Sequence, residues 1–511
     1  MNSFLKFTAV GLVFGLSLAS GTIIPSYFER AAITKRQINL MEFQKDLGER
    51  VSYNTSIYLP FDTKFASATE RYDTYAPPTI ELVVVPGLES DIPIIVKWAN
   101  KNSLPFLVKN RGHAMTYTIG KFKGVQIDMS GLQKIDIQPH GKTAWFQGGT
   151  WDSQVMEYLW ERGYVTTTGS CGCVGMMGPG LGGGHGLYQG LYGLISDNLV
   201  NINLVRGDGS HIRVNSTSHS DLWWAMRGAG HNFGIVTSFE LNIYPKRIDS
   251  WHYHNYVFTQ DKLERFFDAL NVFHGNGSTP VLMGLNMGGF SMNTSISKTE
   301  PIISWSFGYA GPAHDAERLL APFNRISAAW EGSGDVPFPG ISDAMNTGKN
   351  QPICAPNHTR IQSTSAIQTY NVTAERQIYN LYNETIARHP EISDSGVIHE
   401  GYSTAAVAKV DPASTAFPWR DYYLLHCFEV KLPVQVSENT LALGRLLARQ
   451  IRDLWNAGAP NLKPSTYVNY AFGDESIQSI YGYEPWRLAR LRVLKKKYDP
   501  KNQFSYYNPF V

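Results

Sequence analysis

The chain has 511 residues, 45 Lys and Arg against 43 Asp and Glu, a formal net charge of +2, and 43% hydrophobic and 17% charged residues. That length calls for two or three domains, and the composition excludes a disordered chain. A near-neutral balance without a long basic run excludes nucleic acid as a partner, and the densest basic cluster, Lys495 to Lys497, reads as a solvated helix face.

The first residues set the expected compartment. Lys6, the apolar run Phe7 to Leu18 and the small residues Ala19, Ser20 and Gly21 have the layout of a secretory signal peptide, residues 1–21. No other stretch approaches the about 20 apolar residues of a membrane span. Sequons at Asn54, Asn215, Asn276, Asn293, Asn357, Asn371 and Asn383 fit an exported glycoprotein. Four cysteines are too few for a disulfide scaffold, and Cys171 and Cys173 are too close to staple much. Cys354 and Cys427 either pair across the later domain or stay as buried thiols.

From Pro77 to Pro245 short strands alternate with helices. Leu82 to Val85, Phe106 to Val108 and Val125 to Asp128 read as strands; Ser90 to Lys101 and Asp152 to Arg162 read as helices, the latter capped by Asp152. Leu199 to Val205 and Ile212 to Val214 read as a hairpin turning on Asp208-Gly209. Beyond Pro245 the strands lengthen: Trp251 to Phe258, Val281 to Met287, Ile302 to Gly308 and Tyr422 to Val430. Amphipathic helices at Ala316 to Ile326, Ala374 to Arg388 and Glu438 to Trp455 lie between them. This is the texture of a second, α+β domain with a largely antiparallel sheet.

Two stretches carry chemistry. Gly112-His113 follows a strand, where glycine admits a bulky ligand and the imidazole can meet it, although an isolated Gly-His also reads as a turn with a surface histidine. The run Gly169 to Gly186 is dense in glycine, as for a backbone passing close to a phosphate or ring with its N–H groups free. Gly178, Gly180 and Gly183 satisfy G-x-G-x-x-G, but no strand signal precedes them and Pro179 interrupts them, so a nicotinamide fold is a poor reading. Cys171 and Cys173 lack the spacing of a zinc site, and no metal is expected.

These motifs, in order, resemble the berberine-bridge-enzyme-like branch of the vanillyl-alcohol-oxidase (PCMH-type) flavoproteins. The resemblance rests on Pro78 and Pro86, Lys109-Asn-Arg-Gly-His113, Val125-Gln-Ile-Asp128, Gly148-Gly-Thr-Trp151 and the Cys171 to Gly186 run. It continues in Asp221-Leu-Trp-Trp-Ala-Met-Arg-Gly228, Gly230-His-Asn-Phe-Gly234, Tyr467-Val-Asn-Tyr470 and Tyr498-Asp-Pro-Lys-Asn-Gln-Phe504. It implies an α+β architecture: a PCMH-type FAD-binding domain, and a substrate domain whose antiparallel sheet is flanked by helices. The expected division is an N-terminal segment at 22–76, the FAD domain at 77–247, the substrate domain at 248–464 and a C-terminal segment at 465–511 returning to the FAD domain.

The cofactor so implied is FAD, held bicovalently through His113 and Cys171, with Cys173 a close spare. Arg111, Gly112, Val174, Gly175, Gly182, Gly183, Gly184 and Asn469 are implied around it, and Asn232, Phe233 and Gly234 on its far side. Tyr470 is implied as the catalytic base. Arg111 and Ala114 depart from the usual family residues. The acid that supports this tyrosine in some relatives has no counterpart at the place expected here, near His426. The resemblance implies an oxidase of a small organic molecule, an alcohol or an oxidative ring closure in secondary metabolism. The resemblance further implies oxygen as the acceptor, giving hydrogen peroxide, and the expected form is a secreted monomer. A sugar oxidase of the same fold, or a nicotinamide-dependent dehydrogenase, is the alternative. In the family a valine three residues after the linked cysteine, here Val174, accompanies oxidases.

Overall fold

A computed structural model describes residues 40–275, 279–422 and 424–511; the signal-peptide reading and the Asn276 sequon lie outside them. The first sheet is built from β1 (Ser56–Tyr58), β2 (Thr79–Val85), β3 (Phe106–Lys109) and β4 (Lys123–Asp128), in the order β1-β2-β4-β3. β2, β4 and β3 run parallel, and β1 closes the edge antiparallel. Parallel strands need a crossover, and helix α1 (Asp91–Lys101) supplies it between β2 and β3, leaving room for β4 between them and burying Ile92, Ile95, Val96 and Trp98.

β5 (Ile135–Ile137), β6 (Thr143–Gln147), β8 (Leu199–Val205), β9 (His211–Val214) and β10 (Ile235–Asn242) form an antiparallel second sheet in the order β5-β6-β10-β8-β9. A two-stranded pair, β7 (Tyr164–Val165) with β11 (Tyr244–Pro245), flanks it. The β8–β9 turn has Gly209 at φ 77°, as the Asp-Gly signal requires. Helix α2 (Asp152–Glu161) departs from its expected cap: Trp151 is the N-cap, and Asp152 lies inside the first turn, where its Oδ1 accepts the Gly169 N–H at 2.9 Å. A partner brought by the tertiary fold outcompetes the local capping bond.

The third sheet is antiparallel throughout: β12 (Trp251–Phe258), β13 (Met283–Ser291), β14 (Ile302–Tyr309), β15 (Trp330–Val336), β16 (Thr359–Ile367), β17 (Gly396–Gly401) and β18 (Leu424–Leu432), ordered β15-β12-β14-β13-β17-β18-β16. Helices α3 (Leu263–His274), α4 (Ala313–Asn324), α5 (Val372–Arg388) and α6 (Glu438–Gly458) cover one face and enclose an apolar core. The other face meets the first domain through Trp251, Leu285, Phe417 and Tyr467. Because successive side chains on a strand alternate, strands such as β12, β16 and β18 serve both the helical core and the interdomain space.

The C-terminal helix α7 (Pro485–Tyr498) returns to the first domain, where Leu488, Leu491, Leu494 and Tyr498 pack with Leu222, Trp223 and Phe233. Lys495 corrects the solvated-face reading of its cluster: it is buried and donates to Asp499 Oδ2 (2.7 Å), Asn232 O and Phe504 O. No described helix is long and apolar enough to cross a membrane.

The two domains are also joined by a buried ion pair: Arg420 donates from Nη2 and Nη1 to Asp197 Oδ1 and Oδ2 at 2.8 and 3.0 Å. Asp197→Asn leaves the guanidinium buried without its counter-charge, and the expected loss of stability is about 3–5 kcal/mol, read from chemical denaturation. A loss below about 1 kcal/mol, the range of an exposed pair, contradicts this account.

Candidate active site

β3 ends at Lys109, and Gly112, at φ 74°, turns the chain so that His113 enters a cleft between the domains. The Gly112 carbonyl accepts the Tyr72 N–H at 3.1 Å, so the segment before β2 is tied to this turn. Tyr72 stacks on the imidazole, centroids 4.9 Å apart at 27°. The Arg360 guanidinium lies 3.5 Å from the Tyr72 ring centroid, donates to the Tyr72 carbonyl, and pairs with Glu429 at 3.2 Å. Burial, reinforced by the Arg111 and Arg360 charges, pulls the His113 pKa down to about 4, so the ring is neutral at pH 7. Its Nε2 lies 3.4 Å from Cys173 Sγ, and its Nδ1 is buried without a hydrogen-bond partner. Arg111 donates from Nε to the Cys173 carbonyl at 3.3 Å and spreads over Trp151.

The cysteines correct one expectation. Cys354 pairs with Cys173, across 181 residues, and not with Cys427. The loop that carries Cys354 is held against the glycine run by Gly172 N–H to Thr347 O (2.9 Å) and Thr347 Oγ1 to Ser170 O (2.8 Å), which brings the two sulfurs together. Cys427 is buried and takes a hydrogen bond from Gln362 Nε2. Cys171 is a free thiol, 3.7 Å from Cys173 Sγ, and burial pushes its pKa up to about 12.

The glycine run behaves differently from a phosphate cradle. Gly184 and His185 donate their N–H groups to Tyr467 Oη at 3.1 and 3.2 Å, and the Gly182 and Gly183 N–H groups bond to Pro179 and Gly180 carbonyls. A Cβ at Gly182, Gly183 or Gly184 meets Asn469, Phe417 or Ile195, so here the missing side chains let protein elements close on each other. Gly175 makes room for Asn110, which donates to Gly148 O and Thr150 O. No sheet strand leads into Gly178, so the dinucleotide pattern lacks its strand. Asn232, Phe233 and Gly234 are taken up in the first-domain core, against Tyr481, Phe510 and Leu204.

Opposite His113, the sequence Tyr467-Val-Asn-Tyr470 is a turn, closed by Tyr470 N–H to Tyr467 O at 2.8 Å. It aims both tyrosines at the cleft. Tyr470 Oη donates to Glu400 Oε1 at 2.8 Å, and Tyr402 Oη donates to Glu400 Oε2 at 2.9 Å. The place near His426 holds no acid, but this carboxylate reaches Tyr470 from the adjacent strand. Glu400 stands on β17, one strand over from His426, in a strand with no clear sequence signal. His426 points the other way, into the helical core, stacked on Tyr370. Burial raises the Glu400 pKa; burial and then the Glu400 charge raise that of Tyr470 well above 10.

These groups line two adjoining cavities of about 460 and 330 Å³, which share Arg71, Tyr72, Lys109, Asn110, Arg111 and His113 and so form one cleft. The inner cavity adds Gly112, Cys171, Val174, Gly175, Asn469, Tyr470 and Glu400. Thus Arg111, Gly112, His113, Cys171, Val174, Gly175, Asn469 and Tyr470 converge, whereas Gly182 to Gly184 and Asn232 to Gly234 stand behind the wall. The site adds Glu400, Tyr402, Tyr72 and Arg360, which no motif in the sequence marks.

Comparison with known proteins bears on this cleft. Residues 80–215 match the family model of an FAD binding domain, and residues 466–509 match the "Berberine and berberine like" model. The chain is 57% identical over 520 residues to the FAD-linked oxidoreductase OXR2 of Pyricularia oryzae, covering 100% of both chains. Among solved structures it is similar in fold to a chitooligosaccharide oxidase (TM-score 0.77, 20% identity, 92% of this chain and 99% of that one). It is similar too to glucooligosaccharide oxidase from Acremonium strictum, studied for its 6-S-cysteinyl, 8α-N1-histidyl FAD (TM-score 0.75, 18% identity, 92% and 98%).

Proposed function

Since the chain belongs to the FAD-linked oxidoreductases, with a berberine-like segment at its C-terminus, we propose that it is an oxidase of a small, largely apolar organic molecule, with oxygen as final acceptor and hydrogen peroxide as product. Bound FAD supplies the acceptor for a hydride from substrate carbon. The residues fit such a cofactor: His113 Nδ1, Asn110 Oδ1 and Asn469 Oδ1 are buried at the cleft without partners, and the His113 ring is neutral, with a lone pair to offer. Of the two cysteines in the glycine run, Cys171 is the free thiol, which supports His113 and Cys171 as the pair that holds FAD covalently.

The observation that carries the reading is the Tyr470–Glu400–Tyr402 arrangement across from His113. With its pKa raised, Tyr470 is a poor base alone. Joined to Glu400, it takes a substrate proton at Oη while its own proton passes to Glu400 Oε1. Tyr402 holds the second carboxylate oxygen and fixes the direction of the relay. Met115, Met287, Ile353 and Ile398 make the inner cavity mainly apolar, which favours a secondary-metabolite alcohol or ring closure over an oligosaccharide. The chain is read as an exported monomer. Among its sequons Asn54, Asn357 and Asn371 are exposed, and Asn215, Asn293 and Asn383 partly so.

The test is peroxide formation by the purified, yellow protein across a panel of aromatic and terpenoid alcohols and oligosaccharides. Flavin-loaded protein that reduces a dye with a substrate but makes no peroxide sinks the oxidase assignment. Val174 bears on the same point, because it lines the inner cavity beside Cys171. Oxygen needs a small apolar vacancy, and one extra methylene in a pocket is worth about 10–200-fold. Val174→Leu is therefore expected to slow oxygen consumption by that order while dye-coupled turnover persists; equal oxygen rates remove Val174 from the account.

A further inference from the structure

Strand β12 carries His252, His254 and Tyr256 on one face, the face covered by α4 and turned away from the catalytic cleft. Both imidazoles are buried. Helix α4 lowers Glu317 between them: Glu317 Oε1 lies 2.8 Å from His252 Nε2 and 2.8 Å from His254 Nδ1. The remaining nitrogen of each ring meets a carboxylate of edge strand β15, His252 Nδ1 to Asp335 Oδ1 at 2.7 Å and His254 Nε2 to Glu331 Oε2 at 3.6 Å. Asn324 Nδ2 holds the other Glu317 oxygen at 2.8 Å.

We propose that His252 Nε2, His254 Nδ1 and Glu317 Oε1 bind a divalent transition-metal ion, with Zn²⁺ the best match to the donors. Three features carry this. The donor atoms converge on one point from two elements that are far apart in the chain. The His252 ring is braced on its outer nitrogen by Asp335 at 2.7 Å, the arrangement that fixes tautomer and orientation in metal-bound histidines, and Glu331 stands 3.6 Å from the outer nitrogen of His254. And the three carboxylates have no Lys or Arg ion pair among the described residues, so once the ring protons facing Glu317 leave, the cluster holds net negative charge that a dication offsets. Two imidazoles and a carboxylate suit Zn²⁺ better than Mg²⁺ or Ca²⁺, which take oxygen alone.

Binding displaces the imidazole protons that now face Glu317, and the donors must part by a few tenths of an ångström to reach tetrahedral spacing. Glu317 can give way, being about a third exposed at 32%, and that opening leaves the fourth position to water. None of these residues lines the catalytic cleft. The ion therefore clips α4 to the β12–β15 edge of the sheet, and its effect falls on stability.

The experiment uses untagged, flavin-loaded protein, stripped with a chelator that is then removed, and titrated with ZnCl₂. The expected result is about one Zn²⁺ retained per chain after gel filtration and a rise in Tm of about 2–5 °C. Glu317→Gln, nearly isosteric, and the double variant His252→Asn/His254→Asn are each expected to lose that ion while the flavin absorption spectrum stays unchanged, which certifies their folding. Failure of the wild-type protein to retain zinc overturns the proposal. So does equal retention by Glu317→Gln and wild type, which locates the ion elsewhere.

Discussion

Replacing Tyr470 by Phe is expected to slow substrate oxidation by about 10²–10⁴-fold, the usual contribution of a positioned acid–base group. The ring and its packing on Tyr467 remain, and only the hydroxyl bonded to Glu400 is lost. Glu400→Gln is expected to cost a similar factor, because the amide cannot store the proton that Tyr470 passes on. The double variant should be little worse than either single one, since both changes break one path. Burial raises Glu400 above the ordinary carboxylate value, and the relay needs its ionised form. The wild-type rate should therefore climb as pH rises through that raised value, and Glu400→Gln should lose this limb. Anaerobic stopped-flow at several pH values reads both effects. A Tyr470→Phe rate equal to wild type sends the proton elsewhere and ends the relay.

The second large effect concerns attachment. His113→Ala and Cys171→Ala are each expected to leave the flavin on the chain after denaturation, through the surviving link, and the double variant is expected to release it completely. Cys173→Ala opens the disulfide to Cys354 and is expected to keep both links. In-gel flavin fluorescence and the mass of the flavin-bearing peptide separate these cases. If Cys173→Ala loses a link that Cys171→Ala keeps, the assignment to Cys171 is wrong and the disulfide is not the resting state of Cys173. The neutral His113 adds a finer expectation: Arg111→Met removes a nearby cation and should not prevent attachment, because burial is the larger cause of the lowered pKa.

Local signals were enough for much of the scaffold. Strand β12 and the amphipathic helices α5 and α6 are legible because apolar periodicity and burial coincide there. The His113 turn is legible because positive φ at Gly112 needs glycine. Strands β16 and β17 were not. β16 is buried along its whole length, with Thr364 and Ser365 bonded to the His426 carbonyl and to Asn456, so no alternation survives. β17 is six residues bounded by glycines, and its histidine and glutamate look like loop residues until the neighbouring strands pair with it.

The sequence by itself thus determined the cofactor class and singled out His113 and Tyr470, which the fold brings to one cleft, since these motifs rest on residues adjacent in the chain. Only the tertiary structure decided the partners that convergence creates. Glu400 meets Tyr470 across 70 residues, Cys173 meets Cys354 across 181, and Arg360 closes on Tyr72 across 288. Chain spacing carries no record of such contacts, because sheet register and domain packing set them: a strand's alternation puts Glu400 in the cleft and its neighbour His399 in the core.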